Sequence, residues 1–569
     1  MGLMISADGA WVYSCQSLHA LLGLVAAALT GRGVWAVARK AGAPDGSASV
    51  AGWVAGLVLL GTGWTLVCAS LAYNEMGVLV CTAGAMLLCV DRPPPAAADD
   101  SRGAGSLFRA VGIGFFVGIA TSCKPTALLL IGPATGIMML GMFPRRIWAT
   151  AVLAGTVGGL LAITPWLVRN AIAAGNPVFP FGAGLLGMGH WTAEQTARYA
   201  RAHTYSGSLV DRLSLLISAR GWLHPQWGVT PWVALGAATL ALVRARSRRI
   251  ALLLIAGIVC GLAAWLFLTH LQSRFLLPLI VPMTLLIGAA AGGMGGTGTT
   301  EDRDPRPRPH TLVRRVAIWA LIAALGLTPG LLSLLGFATQ NGGAPNAVLI
   351  GGVGEFTGMT RVQSVYRDLP PGERAVLLRG SAPPFELMNL AVQPAVLGGD
   401  ARAALLGLEK DLPPGEPSAV YLLGDAAPLY YLGASGGRSP SVVYHTTWDR
   451  SIFGNAIRAD SKEHGSADGP GAWTDFLRAR GIGFVLVNHS ELKRLIDKDH
   501  NFDPDVTTTR VERWLTDPAS RLRVVRAWTF HSGGDEVNNP APGGEWTGRD
   551  GLVLVQLLGA TEPTGEGAR

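Results

Sequence analysis

Three cations stand out by where they fall. Lys124 lies between Cys123 and Pro125, Arg169 lies in Thr164-Pro-Trp-Leu-Val-Arg-Asn170, and Arg274 lies in His270-Leu-Gln-Ser-Arg-Phe-Leu-Leu-Pro278, each at the edge of an apolar run. A guanidinium presents a planar fork that matches phosphate oxygens, and beside a bilayer its stem stays in the apolar zone while its head meets a lipid phosphate. Such groups stabilise the negative charge that develops on a departing phosphate. Glu75, in Tyr73-Asn-Glu75, is the acidic counterpart. A carboxylate near hydrocarbon is costly unless it is paired or turned to a polar cavity, so Glu75 is a candidate cation ligand, acid/base group or salt-bridge partner of Lys124. With the neighbouring polar residues Asn170 and His270, the three cations form the candidate substrate-binding set Lys124, Arg169, Asn170, His270 and Arg274. Plainer readings stand beside these. An arginine can anchor a helix end, prolines and aromatics suit any membrane interface, and Glu75 can be an ordinary helix-turn carboxylate.

The elements that must carry these residues are written in the hydropathy. Of 569 residues, 49% are hydrophobic and only 15% charged, well below the quarter usual in a soluble globule. The apolar excess falls before about residue 340, where runs of bilayer-spanning length occur near 16–38, 50–70, 73–90, 107–123, 125–142, 147–168, 227–243, 250–268, 275–293 and 315–337. The break at Lys124–Pro125 leaves open two short spans, one kinked helix or a re-entrant element. Basic residues test this division because they gather in cytoplasmic loops. Arg32, Arg39 and Lys40, then Arg92, Arg102 and Arg109, then Arg145 and Arg146, then Arg244, Arg246, Arg248 and Arg249, then Arg303 to Arg315 all fall on one side. Lys124, Arg169 and Arg274 fall on the other, against the topological habit. The net charge of +8 is spread over these loops, which speaks for a membrane rather than nucleic acid as partner. Glycines such as Gly112, Gly114 and Gly118 suit close helix packing.

The expected organisation is a transmembrane region of about ten helices over 1–340, with an external loop over 169–226, followed by a soluble domain over 341–569. That loop holds His190, Trp191, Glu194, Arg198, Tyr199 and Arg201, a set suited to a sugar or a phosphate. Beyond Asn346, strand-like runs at 375–378, 419–423, 441–445, 484–487 and 552–557 alternate with helical stretches at Trp473–Arg480 and Glu491–Lys498, the latter capped by Ser490. The alternation predicts an α/β domain, with Asp425, Tyr430, Tyr431, His445, Asp449 and Asn488 near strand ends. No glycine-rich nucleotide fingerprint, metal-ligand spacing or nucleophile triad accompanies it. All six cysteines lie in or beside the apolar runs, so no disulfide framework is indicated.

The segments Pro165-Trp166 to Asn170, Gly175-Asn-Pro-Val-Phe-Pro-Phe181 and Arg274-Phe-Leu-Leu-Pro278, with Tyr73-Asn-Glu75 and Lys124 at the same edge, resemble the GT-C superfamily of integral-membrane glycosyltransferases. Within it, the chain is similar to bacterial relatives of the dolichyl-phosphate-mannose protein mannosyltransferases and of the lipid A aminoarabinose transferase, over residues 10 to 340. The resemblance implies a polytopic α-helical membrane protein with a GT-C-like bundle and a C-terminal soluble α/β domain, in the bacterial inner (plasma) membrane, its C-terminal domain external or periplasmic. It implies transfer of a sugar from a polyprenyl-phosphate donor to a lipid, glycan or protein acceptor on the external face, usually with inversion and with no nucleotide at the site. A divalent cation is compatible with the phosphate, but Glu75 alone does not establish one. Family members place an essential acidic residue in the first external loop, after the first helix. That loop has no counterpart here: Asp8 is the one acidic residue before the first run, and Met1 to Gln16 lacks a signal peptide. The expectation is that an initial helix and loop precede Met1 and that transfer requires them. The rival readings are a lipid-linked glycan transporter or flippase and a noncatalytic envelope assembly protein. A repeat of broken helices in two halves, which would favour transport, is not evident in the sequence.

Overall fold

The computed structural model describes residues 14–70, 74–91, 101–218, 221–292, 322, 419–424, 442–445, 449–463, 469–497, 503–529 and 551–559. The chain divides into two compact units. One comprises Cys15–Gly189 and the described part of His203–Ser364, and the other comprises His190–Ala202 and the described part of Val365–Arg569.

The first unit is built from α1 (Ser14–Lys40), α2 (Asp45–Gly61), α3 (Gly63–Ser70), α4 (Glu75–Val90), α5 (Ser101–Cys123), α6 (Ala127–Met142), α7 (Trp148–Ala174), α8 (Ala183–Leu186), α10 (Leu209–Leu216), α11 (Thr230–Leu242), α12 (Ala245–Leu268) and α13 (Ile280–Ala291). Helix α9 (Ala193–His203) lies between α8 and α10 in sequence. Nine of the ten expected spans coincide with these elements, and the tenth, 315–337, lies outside the described residues apart from Ile322. By length and composition, five helices suffice to cross a bilayer among the described residues, or six if α2 and α3, bent by 62° at Thr62, form one broken span. Helices α4, α6 and α11 have 16, 16 and 13 residues. At 1.5 Å per residue they rise only about 20–24 Å against a hydrocarbon core of about 30 Å. The chain breaks at Lys124–Pro125 into two separate helices, α5 and α6, which pack on one another and on α4.

Sequence reading ended the sixth span at 168, near Pro165. Helix α7 instead continues through Pro165 to Ala174 and stops at Gly175, whose φ of 69° lets its N–H reach the Ala171 carbonyl at 2.9 Å. Side chains such as Leu153, Leu161 and Ile172 on α7 are more than 60% exposed, which is the surface a lipid-facing helix presents.

Small residues set the packing. A Cβ at Gly114 or Gly118 of α5 would meet the backbone of Gly155 or Gly159 of α7, and one at Gly112 would meet Leu88 of α4. Ser122 Oγ donates to the Ala162 carbonyl at 3.5 Å. These contacts advance together along both helices, so α5 and α7 run parallel in a small-xxx-small contact.

One end of the bundle collects helix C-termini and the basic residues of the alternating loops. Lys40 donates to Val90 O and Arg109 to Leu88 O, both at the end of α4. Arg244 donates to Ala290 O at 2.7 Å, Arg248 to Leu242 O at 2.9 Å and Arg249 to Gly141 O at 2.8 Å, at the ends of α13, α11 and α6. Cations that hydropathy reading assigns to topology thus also satisfy orphan carbonyls and oppose the helix dipoles. Glu75, Lys124, Arg169 and Arg274 belong to the opposite helix ends.

The second unit holds a five-stranded sheet in the order β2-β1-β3-β5-β4, formed by β1 (Ala419–Leu423), β2 (Val442–Val443), β3 (Ile482–Asn488), β4 (Leu522–Thr529) and β5 (Gly551–Leu557). β1 pairs in parallel with β2 and β3, while β5 is antiparallel to β3 and β4. Helices α14 (Ile452–Glu463), α15 (Pro470–Arg478), α16 (His489–Asp497) and α17 (Thr508–Thr516) complete it. Tyr421, Phe453, Trp473, Val485, Val487, Trp514, Val553 and Val555 share one buried core. The α/β class matches expectation, with two local corrections. Ser490 lies inside α16 rather than capping it, because the helix starts at His489. Edge strand β4 escaped the sequence reading because Arg523 and Arg526 interrupt its apolar pattern. The expected strand at 375–378, and Asp425, Tyr430 and Tyr431, lie outside the described residues. The segment His190–Ala202 joins this unit: Trp191 Nε1 donates to Asp449 Oδ1 at 3.1 Å, and the Trp191 and Tyr199 rings lie 5.2 Å apart.

Candidate functional site

Glu75 opens α4, and its carboxylate is 4% exposed. Lys124 Nζ donates to Glu75 Oε1 at 2.8 Å, and Arg274 Nε approaches the same oxygen at 3.5 Å. Lys124 and Arg274 keep 14% and 28% of their side-chain surface exposed. Two residues far apart in sequence therefore converge on one buried carboxylate. Among the described residues, two cations face one carboxylate in a part-buried setting, where electrostatic interactions are stronger than in water.

Local chemistry fixes each member. Asn74 Nδ2 donates to the Cys123 carbonyl at 2.8 Å, which ties the start of α4 to the end of α5 and brings Glu75 to Lys124. Arg274 rides on the 3₁₀ turn Ser273–Leu279, whose other six residues are all buried. Ser273 Oγ accepts from Trp64 Nε1 at 3.2 Å and Trp227 Nε1 at 3.1 Å, and donates to the Gly221 carbonyl at 2.7 Å. Just before it, Leu271 takes φ 58°, an uncommon region for a residue with a branched side chain. Its N–H is held by Thr269 Oγ1 at 3.2 Å, while Trp265 Nε1 donates to the Gln272 carbonyl at 2.9 Å.

His270 stands against this cluster. Its ring meets Phe275 at 4.8 Å and His203 at 5.3 Å, both nearly perpendicular. Burial pushes the imidazole down to about 4 from its ordinary 6.5, with His203, Lys124 and Arg274 adding to the effect. Between those two values the unfolded chain binds a proton that the folded chain refuses. Stability is therefore full above about pH 6.5 and declines as pH falls toward about 4. Thermal unfolding should lose more between about pH 7 and about pH 5 in the parent chain than in His270→Gln. Equal losses would assign the titration to another group.

The remaining expected site residues are placed differently. The α5–α7 register puts Lys124 level with Thr164–Pro165, so Arg169 stands a little over one turn, roughly 7 Å, further along the axis at the same bundle end. Arg169 is exposed and makes no ion pair with any described residue. Asn170 Nδ2 donates to the Phe179 carbonyl at 3.2 Å, tying α7 to the turn that follows it. Asn176, fully buried, braces that turn through Phe181 O and Gly187 O, both at 2.9 Å. The Gly175–Phe181 motif is thus a folded turn held by Asn176. Tyr73 and Asp8 lie outside the described residues.

Phe275, Ser273, Trp64 and Trp227 were not singled out by sequence reasoning. Ser273 and Phe275 lie inside a motif that was, but the place of Phe275 against Lys124 depends on the tertiary fold. Among the described residues, no group of three or more His, Cys, Asp or Glu side chains is arranged to hold a metal ion.

No family model and no curated protein matches this chain. Among solved structures, it is similar to ArnT from Cupriavidus metallidurans bound to undecaprenyl phosphate, with 16% identity and a TM-score of 0.45 over 96% of this chain and 84% of that one. It is similar to the same protein in the apo state, with 18% identity and a TM-score of 0.43 over 94% and 83%. The archaeal oligosaccharyltransferase AglB from Archaeoglobus fulgidus, in complex with an inhibitory peptide and a dolichol-phosphate, follows with 11% identity and a TM-score of 0.35 over 92% and 64%.

Proposed function

We propose that this chain is a membrane glycosyltransferase of the GT-C kind that moves a sugar from a polyprenyl-phosphate donor to an acceptor at the external face. The observation that carries the reading is the convergence of Lys124 and Arg274 on Glu75 at the end of the bundle opposite the loop arginines. In this reading the two cations grip the phosphate of the donor. An acceptor hydroxyl oxygen attacks the anomeric carbon while the bond from that carbon to the phosphate oxygen breaks. The phosphate leaves with the electron pair, and the acceptor proton passes to a general base. Glu75, committed to two cations, serves as their counter-ion. His270 borders the phosphate site as a polar neighbour, and Arg169 contributes to the field at the same end.

Mass analysis of envelope lipids and glycans in a strain lacking the gene tests this reading and names the acceptor class. The expected result is loss of one glycosyl substituent with accumulation of the polyprenyl-phosphate sugar. Unchanged glycan structures, with a complete lipid-linked glycan retained on the inner leaflet, would establish the flippase reading instead.

A further inference from the structure

We propose that Phe275 is a positioning residue of the phosphate site: its ring face holds the Lys124 ammonium in place for the lipid phosphate without neutralising it. The inference rests on the lipid-phosphate reading given above. Lys124 Nζ lies 3.3 Å from the Phe275 ring centroid, and the Arg274 guanidinium carbon lies 5.7 Å from it. The His270 ring meets the same ring at 4.8 Å. One side chain, 6% exposed, therefore adjoins three of the expected substrate-binding residues.

The physical argument concerns what holds a lysine. Its ammonium is a point charge on a flexible four-carbon stem, so a single carboxylate fixes it from one side only. A second carboxylate would fix it better but would offset more of the ammonium's charge, and with it the attraction for phosphate. An aromatic face attracts the cation through its quadrupole, most strongly when desolvated, and carries no net charge. Phe275 thus supplies a second wall that orients Lys124 and leaves its charge available. The ring is itself set by the turn that presents Arg274, since the two residues are adjacent and Ser273 anchors the turn to Trp64 and Trp227. The two phosphate-gripping groups are thereby registered to one rigid element.

The test uses the full chain in phosphatidylcholine nanodiscs with undecaprenyl phosphate as probe. Phe275→Tyr keeps the ring and should bind within about twofold of the parent, whereas Phe275→Leu and Phe275→Met fill much of the space without a π face and should bind roughly tenfold more weakly. In a Lys124→Ala background, Phe275→Leu should cost little more, because its effect passes through the missing ammonium. Parent-like binding by the Leu and Met variants, or an undiminished Phe275→Leu loss in the Lys124→Ala background, would overturn the proposal.

A second measurement separates this inference from the reading beneath it. The chain has six lysines, so ¹³C-methylated Lys124 is assignable by NMR. Its signal should be shifted upfield by the ring current in the parent and not in Phe275→Leu. Absence of that shift in the parent sinks the Phe275 role whether or not the lipid binds. A shifted signal with no lipid binding by the parent leaves Phe275 holding Lys124 and rejects the lipid-phosphate reading.

Discussion

Replacing Arg274 by alanine should lower turnover of a polyprenyl-phosphate sugar by roughly a hundredfold to a thousandfold, the usual cost of removing one donor aimed at developing anionic charge. Membrane insertion should survive, because the other residues of the Ser273–Leu279 turn are buried and Ser273 keeps its three hydrogen-bond partners. Arg274→Lys should recover only part of the activity, since an ammonium keeps the charge but loses the planar fork. Lys124→Ala should be comparably damaging. The double variant should lose less than the product of the two single losses, because both groups grip one phosphate and balance one carboxylate. Arg169→Ala should be much milder, as Arg169 stands a turn beyond the cluster and makes no ion pair with a described residue. The measurement is single-turnover transfer from a polyprenyl-phosphate sugar. Parent-like rates from Arg274→Ala would remove the guanidinium from the chemistry.

The second large effect belongs to the α/β unit. Asp503, 1% exposed, accepts from the Ser451 backbone N–H at 2.8 Å and Ser451 Oγ at 3.1 Å, and pairs with Arg458 at 2.7 Å. Burial works against its charge, but the Arg458 and Ser451 donors outweigh burial and hold the carboxyl below its ordinary range. Gly454 is required beside it, since a Cβ there would run into the carboxylate. Asp503→Ala strands a part-buried guanidinium and a buried N–H, and should cost about 3 kcal/mol or more of this unit's stability. In the full chain that cost appears as roughly hundredfold faster hydrogen exchange at the most protected amides of β1 and β3, while α12 and α13 are unaffected. Asp505 also pairs with Arg458, at 2.6 Å, and sets the alternative. Unchanged exchange in β3 would mean that Asp505 alone suffices to hold Arg458.

These two clusters differ in what they do with a cation. In the α/β unit, Arg458 is enclosed by two carboxylates and an amide oxygen, an arrangement that spends the charge on structure. At the bundle end, among the described residues, two cations share one carboxylate and a ring. Arg244 and Arg249 at the other end are engaged differently again, donating to helix C-terminal carbonyls.

The sequence by itself determined the class of the protein, because hydropathy and charge alternation are local properties that survive any arrangement of the helices. It located the apolar runs, separated the loop arginines from Lys124, Arg169 and Arg274, and marked Glu75 as a cation ligand, an acid/base group or a salt-bridge partner of Lys124. It also set the alternation of strands and helices beyond residue 400. Tertiary structure decided which cations meet. Glu75, Lys124 and Arg274 are separated by tens to hundreds of residues, and only the packing of α4 and α5 against the turn after α12 brings them to one oxygen. The same packing leaves Arg169 outside the cluster, turns Asn170 to the Phe179 carbonyl and sets Phe275 over Lys124. It also carries α7 past Pro165. A motif records which groups are available, whereas a hydrogen bond or a cation over a ring needs placement to within an ångström, and that precision comes from contacts distant in sequence.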